Sequence, residues 1–179
     1  MQALHKGHGL VELMTVLSIS LIMMAMTMPL WRKARAERVF AAFTMTLAGD
    51  LARARLRAQV TEAGVYFTLE QEAGQHYAYF AVGEDGDELL GRYGAEPGSE
   101  IRLALPGPLT HPTTGQPLVR PLSSTHAPRI VFGPHGSSSA TLVFSDADGR
   151  TLCAVLSASS GRFRIYLRSP DRPGWQLYH

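Results

Sequence analysis

The sequence predicts an α+β protein, in which one long N-terminal α-helix, transmembrane in its first half and amphipathic in its second, packs on a C-terminal antiparallel β-sheet head. Three observations carry this. Between Leu13 and Trp31 no side chain ionises, and an apolar helix of about 20 residues at ~1.5 Å per residue spans a ~30 Å hydrocarbon layer. From about Trp31 to Val60, Phe40, Phe43, Leu47, Leu51, Ala54 and Ala58 recur at intervals of three and four, which marks one helix face that should pack on the head. Beyond Gly64 the hydrophobic period drops to two, as it does in half-buried strands.

Each element has its own justification. The apolar run is preceded by Lys6-Gly7, carries Glu12 in its first turn and holds Pro29 near its far end. A carboxylate inside a membrane segment costs roughly 2.5–3.5 kcal/mol, so Glu12 needs a partner or an interfacial position. Pro29 lacks an N–H and its ring crowds the preceding turn, which loosens the helix there. Arg53, Arg55 and Arg57 alternate around the helix near its C-terminal end, where cations favour the macrodipole, and read first as a solvated flank. Gly64 supplies the break.

Candidate strands follow at Val65 to Leu69, His76 to Val82, Ile101 to Leu105, Ile130 to Phe132, Thr141 to Ser145, Thr151 to Ser157 and Arg162 to Leu167. Asp148-Gly149 reads as a tight hairpin turn between two of them. Two irregular stretches stand out, the acidic Gly83 to Ser99 and the Pro-rich Pro106 to Arg129. Charge is segregated: residues 1–61 carry 8 Lys/Arg against 3 Asp/Glu, residues 62–100 carry 1 against 9, and residues 101–179 carry 8 against 3. The single cysteine, Cys153, excludes an internal disulfide framework and sits in the apolar run Thr151 to Leu156, where a buried core thiol is expected.

Enzyme and metal signals are weak. The histidines at 5, 8, 76, 111, 126, 135 and 179 show no metal-ligand spacing, and no cofactor motif occurs. Asp146-Ala147-Asp148-Gly149 resembles the start of a calcium loop, but the twelfth position is Ser157 rather than a bidentate Glu, so a turn is the better reading. No Walker loop, G-x-S-x-G elbow or evident nucleophile–base pair is present. The chain reads as a non-enzyme.

Lys6-Gly7 followed by His8-Gly9-Leu10-Val11-Glu12-Leu13 resembles the class III leader of type IV pilins and type II secretion pseudopilins. The order Ile130-Val131-Phe132-Gly133-Pro134-His135-Gly136, strand, Asp-Gly turn, strand, then Ser159-Ser160-Gly161-Arg162-Phe163-Arg164-Ile165 is similar to the C-terminal half of GspH/FimT-type minor pilins and pseudopilins. The resemblance implies a leader at residues 1–7, cleaved between Gly7 and His8 by prepilin peptidase. A helix over 8–60 follows, with its transmembrane part at about 10–31, and then a periplasmic β-rich head over 61–179. It implies that Glu12 compensates the new α-amino group of a neighbouring subunit in a filament, that Pro29 stands where the family has a helix-bending proline, and that the new terminus is methylated. His8 departs from the usual Phe.

The partners so implied are other pilins or pseudopilins, the peptidase and inner-membrane lipid, with a single pass and the head in the periplasm. The G-R-x-R pattern at Gly161 to Arg164 is the element through which some FimT-like minor pilins bind DNA in natural transformation. Alternation places Arg162 and Arg164 on one strand face and Phe163 and Ile165 on the other, with Arg168 and Arg172 extending the basic strip toward double-stranded DNA.

Other readings stay open. Counted by the positive-inside rule, Arg32, Lys33, Arg35 and Arg38 would place the C-terminal flank in the cytoplasm, opposite to the family. A Sec signal peptide needs a cleavage site near Ala25-Met26-Thr27 and a shorter core. A stand-alone membrane-anchored periplasmic binding or enzymatic domain shares the stem and the β head.

Overall fold

The computed structural model describes residues 8–69, 75–82, 86–94, 100–126 and 128–178. Gly7 and the leader lie outside the described residues, as do parts of the acidic stretch. The chain divides into two units, Met1–Ala41 and Ala42–His179.

Helix α1 (His8–Thr61) runs through that boundary and through Pro29 without a break. Glu12 is the fifth residue of the described helix. In the first unit every residue from Gly9 to Arg35 is exposed. This stretch has no polar face; its hydroxyls Thr15, Ser18 and Thr27 bond back to helix carbonyls three or four residues earlier, which conceals them from an apolar surround. The helix ends at Glu62, which takes the left-handed conformation with φ of 54°. The expected break at Gly64 is therefore two residues late. Gly64 instead lets the chain pass close to Val82, whose N–H donates to the Gly64 carbonyl at 2.8 Å.

The second unit holds two five-stranded antiparallel sheets and a small hairpin. The first sheet contains β1 (Val65–Thr68), β2 (Gln75–Ala81), β3 (Glu88–Gly94), β7 (Arg129–Gly133) and β8 (Gly136–Ser137), in the order β3-β2-β1-β7-β8. The second contains β6 (Leu122–Ser124), β9 (Ala140–Ser145), β10 (Thr151–Leu156), β11 (Phe163–Ser169) and β12 (Arg172–Leu177), in the order β12-β11-β10-β9-β6. The hairpin pairs β4 (Leu109–Thr110) with β5 (Pro117–Leu118).

Alternation puts Val65 and Phe67 of β1 inward beside Phe132 and Ile130 of β7, and Leu152 and Ala154 of β10 inward beside Phe144 and Leu142 of β9. The second half of α1 meets both inner faces: the Phe43 ring lies 6.5 Å from Tyr77, 5.3 Å from Tyr93 and 4.9 Å from Phe144. All six positions of the predicted helix stripe, Phe40, Phe43, Leu47, Leu51, Ala54 and Ala58, are buried.

The strand expectations hold at β1, β2, β7, β9, β10 and β11, and the structure differs in four places. Residues Ile101 to Leu105 form only a bridge, Arg102 to Ser145, with two backbone bonds of 2.7 and 2.8 Å, because Pro106 follows at once and cannot extend a ladder. The acidic stretch contains β3, whose Gly91 is filled by Tyr79: a Cβ there would lie 2.7 Å from the Tyr79 ring. The Pro-rich stretch contains β4, β5 and β6, and the C-terminal tail folds back as β12. β12 covers β11 only as far as Ile165, whose carbonyl accepts from Tyr178 N–H at 2.8 Å, so its described pairing stops short of Arg164 and Arg162.

Candidate functional site

The outer face of the second sheet carries a core of its own. Leu109, Val143 and Cys153 are buried there, with Leu105, Leu118, Val155, Tyr166 and Trp175 packed around them. The β4–β5 hairpin is the roof of this layer. Burial pushes the Cys153 thiol up to about 12, as expected for a packing cysteine rather than a nucleophile.

A second cluster joins α1 to the first sheet. Asp50, buried on the apolar face of the helix, accepts hydrogen bonds from Tyr77 Oη at 2.8 Å and Tyr79 Oη at 3.2 Å, and pairs with Arg53 at 3.1 Å. Burial, then the hydrogen bond to Asp50, drives the Tyr77 hydroxyl far above the ordinary tyrosine range. Burial and the Asp50 charge raise Tyr79, with Arg53 opposing. This is a neutral-phenol clamp on a buried carboxylate, and it ties α1 to the first sheet. Arg57 reaches Glu88 at 3.3 Å, so two of the three helix arginines expected to be solvated are engaged in ion pairs, both with exposed guanidinium groups.

The glycine-rich motifs meet at the far end of β10. A Cβ on Gly136 would lie 2.6 Å from the Ala158 carbonyl, while the Ser137 N–H donates to that same oxygen at 3.0 Å. Gly161 has φ of 59°, donates its N–H to Ser157 at 3.0 Å and packs against Arg55 Nε. Two turns distant in sequence are thus locked together, and glycine is required at both by space or conformation.

Register continues from Leu156–Phe163 to a bond between Ser157 N–H and the Arg162 carbonyl at 2.9 Å. Arg162, Arg164 and Arg168 therefore share the outer side of β11 with Tyr166, while Phe163 and buried Ile165 point inward. Arg162 and Arg164 are exposed. Arg172 pairs with Ser169, which alternation places on the other side from Arg164 and Arg168, and so leaves this row. The predicted strip is thus three arginines in a row rather than four.

Asp146 and Asp148 are not poised for a cation. Both pair with Arg150, at 2.6 Å each, and Gly149 closes the hairpin in the left-handed region with φ of 81°. Among the described residues no group of three or more His, Cys, Asp and Glu side chains converges.

A helix able by length and composition to cross a membrane, followed by a two-sheet antiparallel β head, is a pilin-like α+β arrangement. The family model for the type II transport protein GspH matches residues 44–161, more than half of the chain, and the chain belongs to that family. No curated protein and no solved structure gives a significant match. The GspH family is structural rather than catalytic and supports a pseudopilin role in type II secretion, in association with other pseudopilins. With the apolar helix, it fits an inner-membrane-anchored protein whose head is periplasmic.

Proposed function

We propose that this chain is a minor pseudopilin that prepilin peptidase cleaves between Gly7 and His8 and that assembles through α1 into a type II secretion filament. The observation that supports this best is the first unit itself: from Gly9 to Arg35 every residue of α1 is exposed, and Glu12 is the one acid there. Lipid covers the apolar side chains well but leaves a carboxylate costly, so a neighbouring subunit that offers a cation to Glu12 favours the assembled over the inserted state. On the second half of α1, Met45 and Leu56 are also exposed large apolar groups, a continuation suited to neighbouring subunits. In the proposed pathway Glu12→Ala leaves the protein cleaved and membrane-held but absent from sheared filaments. Normal incorporation of the variant would remove the role of Glu12. Gly7→Glu is expected to leave an uncleaved chain of unchanged mass when peptidase is present.

A second reading gives the filament a nucleic-acid contact. The row Arg162, Arg164 and Arg168 supports it, since three cations on one strand side meet several phosphates without reading bases. Full-length protein in detergent, titrated with duplex DNA, is expected to bind weakly and without sequence preference. Each neutralised phosphate adds about 0.9 to the log–log salt slope. Equal affinity in Arg162→Gln/Arg164→Gln, or no binding at low salt, leaves the secretion role alone.

A further inference from the structure

His111 stands at the turn of the β4–β5 hairpin, and its two ring nitrogens face opposite demands. Nδ1 lies 3.2 Å from the N–H groups of both Thr113 and Thr114 and accepts from them. The proton therefore resides on Nε2, which donates to Thr141 Oγ1 of β9 at 3.1 Å. The ring thus caps its own turn, as an Asx side chain does, and pins that turn to the outer face of the second sheet. Around it the backbone closes from His111 N–H to the Gln116 carbonyl at 2.7 Å and from Gly115 N–H to the His111 carbonyl at 2.9 Å, with Gly115 at φ of 71°. The other side of the hairpin is held differently: Trp175 Nε1 of β12 donates to the Thr110 carbonyl at 2.7 Å. β9 and β12 lie on opposite sides of the β10–β11 pair, so the roof is fastened at two separated points.

We infer that His111 is a pH-sensitive latch on its own turn, and that its protonation frees Thr113 and Thr114 from the ring while the Nε2–H bond to Thr141 and the Trp175 fastening stay. An imidazolium carries a hydrogen on Nδ1, which would point at two N–H donors and lose both bonds. No carboxylate is among the residues that line the groove beside the ring. A groove of about 260 Å³ beside the ring is lined by Thr114, Gln116, Leu118, Ser123 and Thr141, with Arg120 as the only charged side chain. Thr141 and Ser123, from β9 and β6, are neutral, and Arg120 opposes a second positive charge. Burial already holds the His111 pKa below its usual 6.5. The sign follows from that direction. The lowered native pKa means that the latch contributes fully above the unfolded-state value of 6.5, and that its contribution is lost as pH falls from there through the native pKa.

The test is amide hydrogen exchange with NMR on the full-length protein in detergent micelles between pH 7.5 and 5. Protection at Thr113 and Thr114 is expected to fall as the pH drops, while Val143 and Cys153 in the strands stay protected. His111→Asn keeps a side-chain acceptor for the turn but does not titrate, and is expected to abolish the pH dependence at these two amides. Equal loss of protection in the variant, or none in the parent, overturns the latch. Ring nitrogen shifts of the unsubstituted protein give a check that no variant can confound: Nε2 carries the proton at pH 7.5 and the midpoint lies below 6.5. A proton on Nδ1, or a midpoint at or above 6.5, contradicts the inference.

Discussion

The two halves of α1 are both rich in apolar residues and meet opposite surroundings. In the first, Leu10, Val16, Leu17, Ile19, Ile22 and Met26 point in every direction and all are exposed. In the second, Phe43, Leu47, Leu51, Ala54 and Ala58 fall on one face and all are buried. Spacing, rather than apolar content, decides which half finds a partner in its own chain. A stripe has one side to cover and one head to cover it, whereas a helix apolar all round needs lipid or several other helices.

The largest effects lie where the stripe meets the sheets. Phe43→Ala removes a ring that touches Tyr77, Tyr93 and Phe144, and is expected to cost the head about 3–5 kcal/mol in urea unfolding. Leu17→Ala in the first half should leave the same transition within about 0.5 kcal/mol. Comparable losses from the two variants would break the contrast. Next comes Asp50→Ala, which strips the acceptor from two phenols, one of them wholly buried, and is expected to cost about 2–3 kcal/mol. Asp50→Asn keeps one oxygen acceptor and should cost less; the reverse order would show that the charge, not the hydrogen bonding, holds the helix. The smallest effect sharpens the boundary of the helix. Glu62 is the one non-glycine with positive φ among the described residues, so Glu62→Gly relieves an unfavourable cap and is expected to raise stability by roughly 1 kcal/mol. A loss instead would mean that the Glu62 side chain makes a contact worth more than the strain.

Much of this was legible in the sequence, and the exceptions have physical reasons. The stripe on α1, the inward Phe163 and Ile165, the buried Cys153 and the hairpin at Gly149 all follow from period and turn chemistry. β3 was hidden because Gly91 and Gly94 look like loop residues, and the Tyr79 ring laid over Gly91, with Tyr93 against Phe43 and Tyr77, makes that strand pack. β12 was hidden by Pro173 and Gly174, with Trp175 supplying the anchor. Asp50 had a signal that went unread: an acid between Leu47 and Ala54 lies on the core face, where only a buried partner tolerates it. His111 had almost none, since its role depends on Thr141, which is distant in sequence and adjacent only through the fold.

The central claim is that the apolar half of α1 becomes the N-terminal arm of a processed filament subunit. Mass spectrometry of the native N-terminus, with the chain expressed beside a prepilin peptidase, tests it most directly. A mature chain that begins at His8 is the predicted result. A chain that begins at Met1, or near Met26 after signal-peptide cleavage, would contradict it and leave a stand-alone anchored or secreted domain in its place.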